Sequence, residues 1–203
     1  MLPESVKIFR ETSPALYWSC LGHLALIPMI LAGIIYDSRI VLGTNPWMRP
    51  LKFSLASLLL MTTIGWFLKD WGYQSPMLSW LLGTSLFLQY LLTLAQAYRG
   101  IESFFSISTR TDQLIYSAFT AAAVLVVILS IWLLSGFVLP SSALSTGYLW
   151  GIRFGLILFL LGCAQASLMW KTHSYSIGGP DGGPGIPFLN WSVRYGDLRI
   201  APQ

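Results

Sequence analysis

Five stretches of this chain are long and apolar, and none of them has an Asp or Glu near its middle. A helix needs about 20 predominantly apolar residues to cross the hydrocarbon core of a bilayer. The runs near Pro14–Tyr36, Leu51–Leu68, Met77–Ala97, Gln113–Leu134 and Tyr148–Trp170 meet that length. The second run is the shortest. Lys52 and Lys69 bracket it, and their long stems reach out to the headgroups. Only 10% of the residues are charged, against about 25% in a soluble domain. The expected fold is therefore all-α: an integral membrane bundle of about five transmembrane helices. Pro28 inside the first run predicts a kink, which neighbouring helices tolerate within a membrane.

Let side A be the end of the bundle that carries the N-terminus, and side B the other. Tyr17, Trp18, Trp66, Trp71, Trp80, Trp132, Tyr148 and Trp150 fall toward side A, and Tyr36, Trp47, Tyr98, Tyr116, Trp170 and Tyr175 toward side B. These are the two levels at which amphipathic rings settle in a bilayer. Side A carries Lys7, Arg10 and Lys69, whereas side B carries Arg39, Arg49, Lys52, Arg99, Arg110, Lys171, Arg194 and Arg199. The positive-inside rule then predicts the N-terminus outside and the C-terminus in the cytoplasm. A net charge of +4, spread over the chain, leaves no footprint for nucleic acid. Cys20 and Cys163 lie at depths that differ by roughly 10 Å, so two free thiols are expected rather than a bridge.

The membrane core is poor in chemistry. The missing mid-span carboxylates argue against proton pumping, which relies on them. Gln89, Gln96 and Gln165 read as interhelical hydrogen-bond partners, and Arg153 as a side chain that snorkels toward side A or pairs with a partner's carboxylate. His23 is a weak candidate for a single axial porphyrin ligand. The other histidine, His173, lies at the opposite end, so no shared metal site is expected, and a hydrogen-bonded histidine in the bundle is the simpler reading. The spacing of Gly147, Gly151 and Gly155, with Gly162 near the same face, predicts close packing of the fifth span on the small surface of the fourth, at Ser117, Ala118, Ala121 and Ala122.

Polar motifs collect on side B. Asn45-Pro-Trp-Met-Arg-Pro-Leu-Lys-Phe53 opens the second span, Gln96 to Ser103 closes the third, and Arg110-Thr-Asp112 precedes the fourth. A Gly/Pro-rich tail follows the fifth. This divides the chain into a transmembrane domain, 1–173, and an irregular tail or lid, 174–203. The tail is no phosphate loop. It lacks the Lys-Ser/Thr pair, and Pro180, Pro184 and Pro187 remove backbone donors. A terminus of this composition is mobile unless held, so the tail is expected to be ordered by the bundle or by a partner chain. Its second half can pair with the helix ends: Arg194 or Arg199 with Glu102 or Asp112, and Asp197 with Arg49, Lys52 or Arg99. The candidate ligand-binding set is Asn45, Arg49, Lys52, Arg99 and Glu102 from the helix ends, with Asp181, Asn190, Arg194, Asp197 and Arg199 from the tail. Such a set either seals the end of the bundle or forms a basic pocket for an anionic headgroup.

Asn45-Pro-Trp with Pro50 and Lys52-Phe53, Tyr148-Leu-Trp-Gly-Ile-Arg153, Pro180-Asp-Gly-Gly-Pro-Gly185, Leu189-Asn-Trp-Ser192 and Gly196-Asp-Leu-Arg199 together resemble a family of uncharacterised bacterial polytopic membrane proteins. The resemblance runs from about Gly43 to Arg199. It implies a polytopic fold in a bacterial inner or internal membrane, and no particular activity. Members continue past the Gly-Asp-Leu-Arg motif with a histidine-containing stretch and further helices. They also carry a histidine where this chain reads Ser103-Phe-Phe-Ser106. The expectation is a C-terminally shortened member with an accessory, non-catalytic role, in contact with membrane lipids and other membrane subunits. The alternative is an enzyme or carrier acting on an anionic, lipid-like molecule at side B, with Glu102, Asp181 or Asp197 as its acid–base groups.

Overall fold

The computed structural model describes residues 4–41, 45–71, 75–101, 108–138 and 144–172, and every regular element among them is an α-helix. A short helix, α1 (Glu4–Thr12), precedes the long helices α2 (Pro14–Tyr36), α3 (Met48–Trp71), α4 (Pro76–Arg99), α5 (Arg110–Gly136) and α6 (Thr146–Thr172). The five long helices all have the length and hydropathy of membrane spans. The chain is a multi-pass membrane protein, and its span limits follow the apolar runs to within a few residues. The tail, and with it Glu102, His173, Asp181, Asn190, Arg194, Asp197 and Arg199, lies outside the described residues.

The extra helix α1 comes from a segment that reads as merely polar. Glu4 in its first turn and Arg10 in its last complement the helix dipole. Phe9 then folds back onto α3, where a Cβ on Gly65 would collide with its ring. Ser13 N donates to Phe9 O (3.0 Å), and Pro14 starts α2 at the position where proline's missing N–H costs nothing. α1 thus packs on α2 and α3 at side A, with Lys7 and Arg10 exposed.

Helix α4 is the spine. It is the most buried span and packs against α2, α3 and α5. Leu78, Leu82 and Leu86 of α4 enter one apolar core with Leu16 and Cys20 of α2, Met61, Ile64 and Leu68 of α3, and Val126, Leu129 and Leu133 of α5. A second, smaller cluster at side B joins Ile30, Trp47, Tyr90, Leu94 and Ala97. Cys20 and Cys163 are both free, as their depths predict.

The tight helix contact is not where the glycine spacing points. Among the described residues, a Cβ added at Gly147, Gly151, Gly155 or Gly162 would meet no atom within 4 Å. Helix α6 instead packs on α5 with Leu149, Ile152 and Leu156 turned inward, while Ser117 and Ala121 stay exposed. Apolar bulk takes the α5 contact, and the small face of α6 points away. The close approach is at Gly83 of α4, where a Cβ would lie 3.1 Å from the backbone carbonyl oxygen of Ala15 on α2. Ser19 Oγ donates to Gly83 O there at 2.7 Å. A hydroxyl bonded to a carbonyl across two helices that nearly touch is the small-residue packing expected inside a bilayer.

Replacing Gly83 by Leu must therefore push α2 from α4 and destabilise the fold by about 1–3 kcal/mol or more. Gly151→Leu alters an open face and should stay within roughly 0.5 kcal/mol of wild type in thermal unfolding of the detergent-solubilised monomer. Equal losses for the two variants would contradict this packing.

Candidate functional site at the side B helix ends

At side B the ends of α2, α3, α4 and α5 meet, and each end is closed by a polar side chain. Helix α2 stops at Asp37, whose carboxylate gathers three groups. Arg39 donates to it through Nε (2.9 and 3.0 Å) and Nη2 (2.6 Å), Trp47 Nε1 donates at 2.8 Å, and the Arg39 backbone N–H donates at 3.0 Å. Arg39, Trp47 and then the Arg39 backbone hold this carboxyl well below the usual range, and the same pairing raises Arg39. The Arg39 guanidinium also reaches Tyr98 O at the end of α4, at 3.1 Å from both Nη1 and Nη2.

The Asn-Pro-Trp motif is the other half of this latch. Asn45 Oδ1 accepts from Trp47 N (2.9 Å), a side-chain turn that aims the indole. Asn45 Nδ2 donates to Asp37 O (2.8 Å) and lies 3.4 Å from Ile34 O, covering carbonyls that α2 leaves open at its C-terminus. The indole then lies against Gly33, where a Cβ would collide with the ring.

Helix α4 ends in a left-handed glycine, Gly100 (φ +68°), with Gly100 N on Ala97 O and Ile101 N on Gln96 O, both at 3.1 Å. A side chain at Gly100 would be strained by that φ, and its Cβ would stand 2.9 Å from Arg39 Nη1. One residue back, Arg99 Nη1 donates to Gln96 Oε1 (3.0 Å) and to Asp112 Oδ1 (2.6 Å). Asp112 is the third residue of α5 and closes a capping box with Thr109. Thr109 Oγ1 accepts from Asp112 N (3.2 Å), and Asp112 Oδ2 accepts from Thr109 N (3.2 Å) and Thr109 Oγ1 (2.7 Å). The Asp112 side chain is 1% exposed and that of Arg99 31%.

Of the sequence candidates, Asn45, Arg49, Lys52 and Arg99 are described. Asn45 and Arg99 are engaged by the bundle itself, Arg49 is half-buried, and Lys52 is exposed on α3. Asp112, proposed from sequence as a partner for the tail arginines, already pairs with Arg99. The sequence reading missed Asp37 and Arg39 as the centre of the α2 end. An acid two residues before an arginine, just past a span, is the signal that marks them.

Two further candidates resolve away from side B. Arg153 donates to Phe137 O (2.7 Å) and Val138 O (3.0 Å), and lies 5.1 Å from the Trp150 ring centroid. It caps the C-terminus of α5 at side A and ties α6 to it, so the side chain does reach toward side A, with backbone carbonyls as its acceptors. His23 is fully buried between α2 and α4, stacked on Tyr90 at 4.3 Å with Phe87 at its edge. No porphyrin plane reaches its Nε2 without separating those helices. Gln89 bonds within α4 at 3.3 Å rather than across helices, and the Gln165 side chain lies outside the described ones.

No family model matches the chain, and comparisons with curated proteins and with solved structures find no match either.

Two measurements check the two latches. The depressed Asp37 value means that its contribution is fully present above the unfolded value of about 3.9 and is lost only as pH falls through the lower folded value. The latch should thus survive acidification to roughly pH 4. Asp37→Asn should flatten the acid-side loss of melting temperature, with position 47 becoming more accessible to quencher at neutral pH. For the α4–α5 latch, Arg99→Ala strands a buried carboxylate and should lower the melting temperature by several degrees. The Arg99→Ala, Asp112→Ala pair should fall short of the sum of its single losses, and strict additivity would show that the two residues are not coupled.

Proposed function

We propose that this chain is a non-catalytic membrane subunit that binds another integral membrane protein through the outer face of α6. The observation that carries this reading is the edge position of α6. Among the described helices it packs on α5, and it turns Gly147, Gly151 and Gly155 outward with nothing within 4 Å of their would-be Cβ atoms. Trp150, Phe154, Leu158 and Leu161 flank that face and are exposed. A face of glycines lets a second helix backbone come close, which is how helices associate in lipid. The latch chemistry supports the same reading. Asp37 and Asp112 are held by Arg39 and Arg99, so the described carboxylates at side B serve to close helix ends. In this proposal the chain belongs to the bacterial family whose motifs it resembles and sits in an inner or internal membrane. Side B, with its excess of Arg and Lys, faces the cytoplasm.

A second reading, an enzyme or carrier for an anionic lipid-like molecule, draws on the exposure of Lys52 and on the third of the Arg99 side chain left open beside its ion pair. One experiment separates the two. The full chain, with a photo-crosslinking residue at Gly151 or Gly155, is purified from native membranes in mild detergent with its lipids retained. The expected result is a crosslink to one defined membrane protein from both positions and none from Leu59, an exposed control on α3. A lone monomer with no crosslink overturns the proposal, and a lone monomer that retains an anionic lipid lost on Lys52→Ala favours the second reading.

A further inference from the structure

The middle of the bundle holds a group of polar atoms that the helix ends and the α6 face do not use. His23, Ser54 and Tyr90 come from α2, α3 and α4, and all three are 0% exposed. His23 Nδ1 lies 2.8 Å from Ser19 O. A carbonyl only accepts, so Nδ1 carries the hydrogen and Nε2 presents its lone pair. Nε2 has no partner, and neither has Ser54 Oγ. Tyr90 joins them. Its ring stacks on His23 at 4.3 Å with 9° between planes, and its hydroxyl interacts electrostatically with Ser54 without the geometry of a hydrogen bond. That hydroxyl lies 3.4 Å from His23 O on α2, a long contact.

We infer that the bundle binds one small neutral hydroxylic molecule, water, between α2, α3 and α4 at the His23–Ser54–Tyr90 cluster. The donors and acceptors call for a ligand that both gives and takes. Water donates one O–H to His23 Nε2 and the other to the Tyr90 hydroxyl oxygen, and it accepts from Ser54 Oγ. Three polar partners are the usual complement of a buried water. In hydrocarbon surroundings neither orphan atom has bulk solvent as an alternative.

Solid-state NMR of the labelled full chain in lipid bilayers tests this. With His173→Gln, His23 is the one histidine observed. The expected spectrum shows an unprotonated Nε2 at its hydrogen-bonded ¹⁵N position and magnetisation transfer from water protons to the ring. Ser54→Ala and Tyr90→Phe, which keep side-chain size close to native, should each weaken the transfer and move Nε2 toward its free position. A free Nε2 without water transfer in the folded wild type overturns the inference. So does transfer that both variants leave unchanged, because the water would then be held elsewhere. These outcomes are read on the isolated chain and do not depend on whether α6 has a partner.

Discussion

Hydrocarbon offers no hydrogen-bond partner, and this constraint shapes the bundle from its spine outward. Helix α4 is the most buried span and carries Ser79, Ser85, Gln89, Thr93 and Gln96 on buried faces. Each polar group there must bond to its own helix or to a neighbour. Thr93 Oγ1 returns to Gln89 O at 2.8 Å, and Gln89 Nε2 to Ser85 O at 3.3 Å. Ser19 takes the other route and crosses from α2 to Gly83 O. That crossing brings the helices nearly into backbone contact, and glycine at 83 leaves room for it, since a Cβ there would lie 3.1 Å from Ala15 O. Several small, locally satisfied polar residues thus make a face on which α2, α3 and α5 can lie closely.

The ends of the helices face the opposite problem. They emerge where water returns, yet their last carbonyls and first amides still need partners. The chain solves this differently at each end. Asp37 and Asn45 close α2, Gly100 with Arg39 closes α4, Thr109 with Asp112 opens α5, and Arg153 closes α5 from α6. On side A, Tyr148 Oη donates to Asp70 Oδ2 at 2.5 Å and links the end of α3 to the start of α6. Charged residues that read from sequence as a possible pocket thus do structural work first. Long side chains at a membrane surface can do this because they reach carbonyls a turn or more away.

Much of the fold was legible because period and length are strong signals over runs of 23 or 24 residues, as in α2 and α4. What failed to show was local pairing. The α1 helix was hidden by Lys7, Arg10 and Glu11, although Val6, Phe9 and Ser13 recur at helical spacing. The capping box at Thr109-Arg-Thr-Asp112 was readable and gives the start of α5, whereas its ion pair with Arg99 needed the turn geometry between α4 and α5. The glycine ridge misled because spacing says that a face is smooth but not which neighbour it meets. Gly83 did the close packing without a motif, since one small residue opposite Ala15 and Ser19 is enough when the neighbouring side chains are short.

Helix α6 shows how unevenly these devices are spread. Its anchors are Tyr148 on Asp70, Arg153 on the α5 terminus, and Leu149, Ile152 and Leu156 in the core. All of them lie in its first half, nearest side A. From Ile157 to Ala164 no described side chain is fully buried. A short local ion pair such as Asp37–Arg39 fixes its own turn, but nothing of that kind is described beyond Arg153 on α6. The described anchors of α6 thus hold its side A half against α3 and α5.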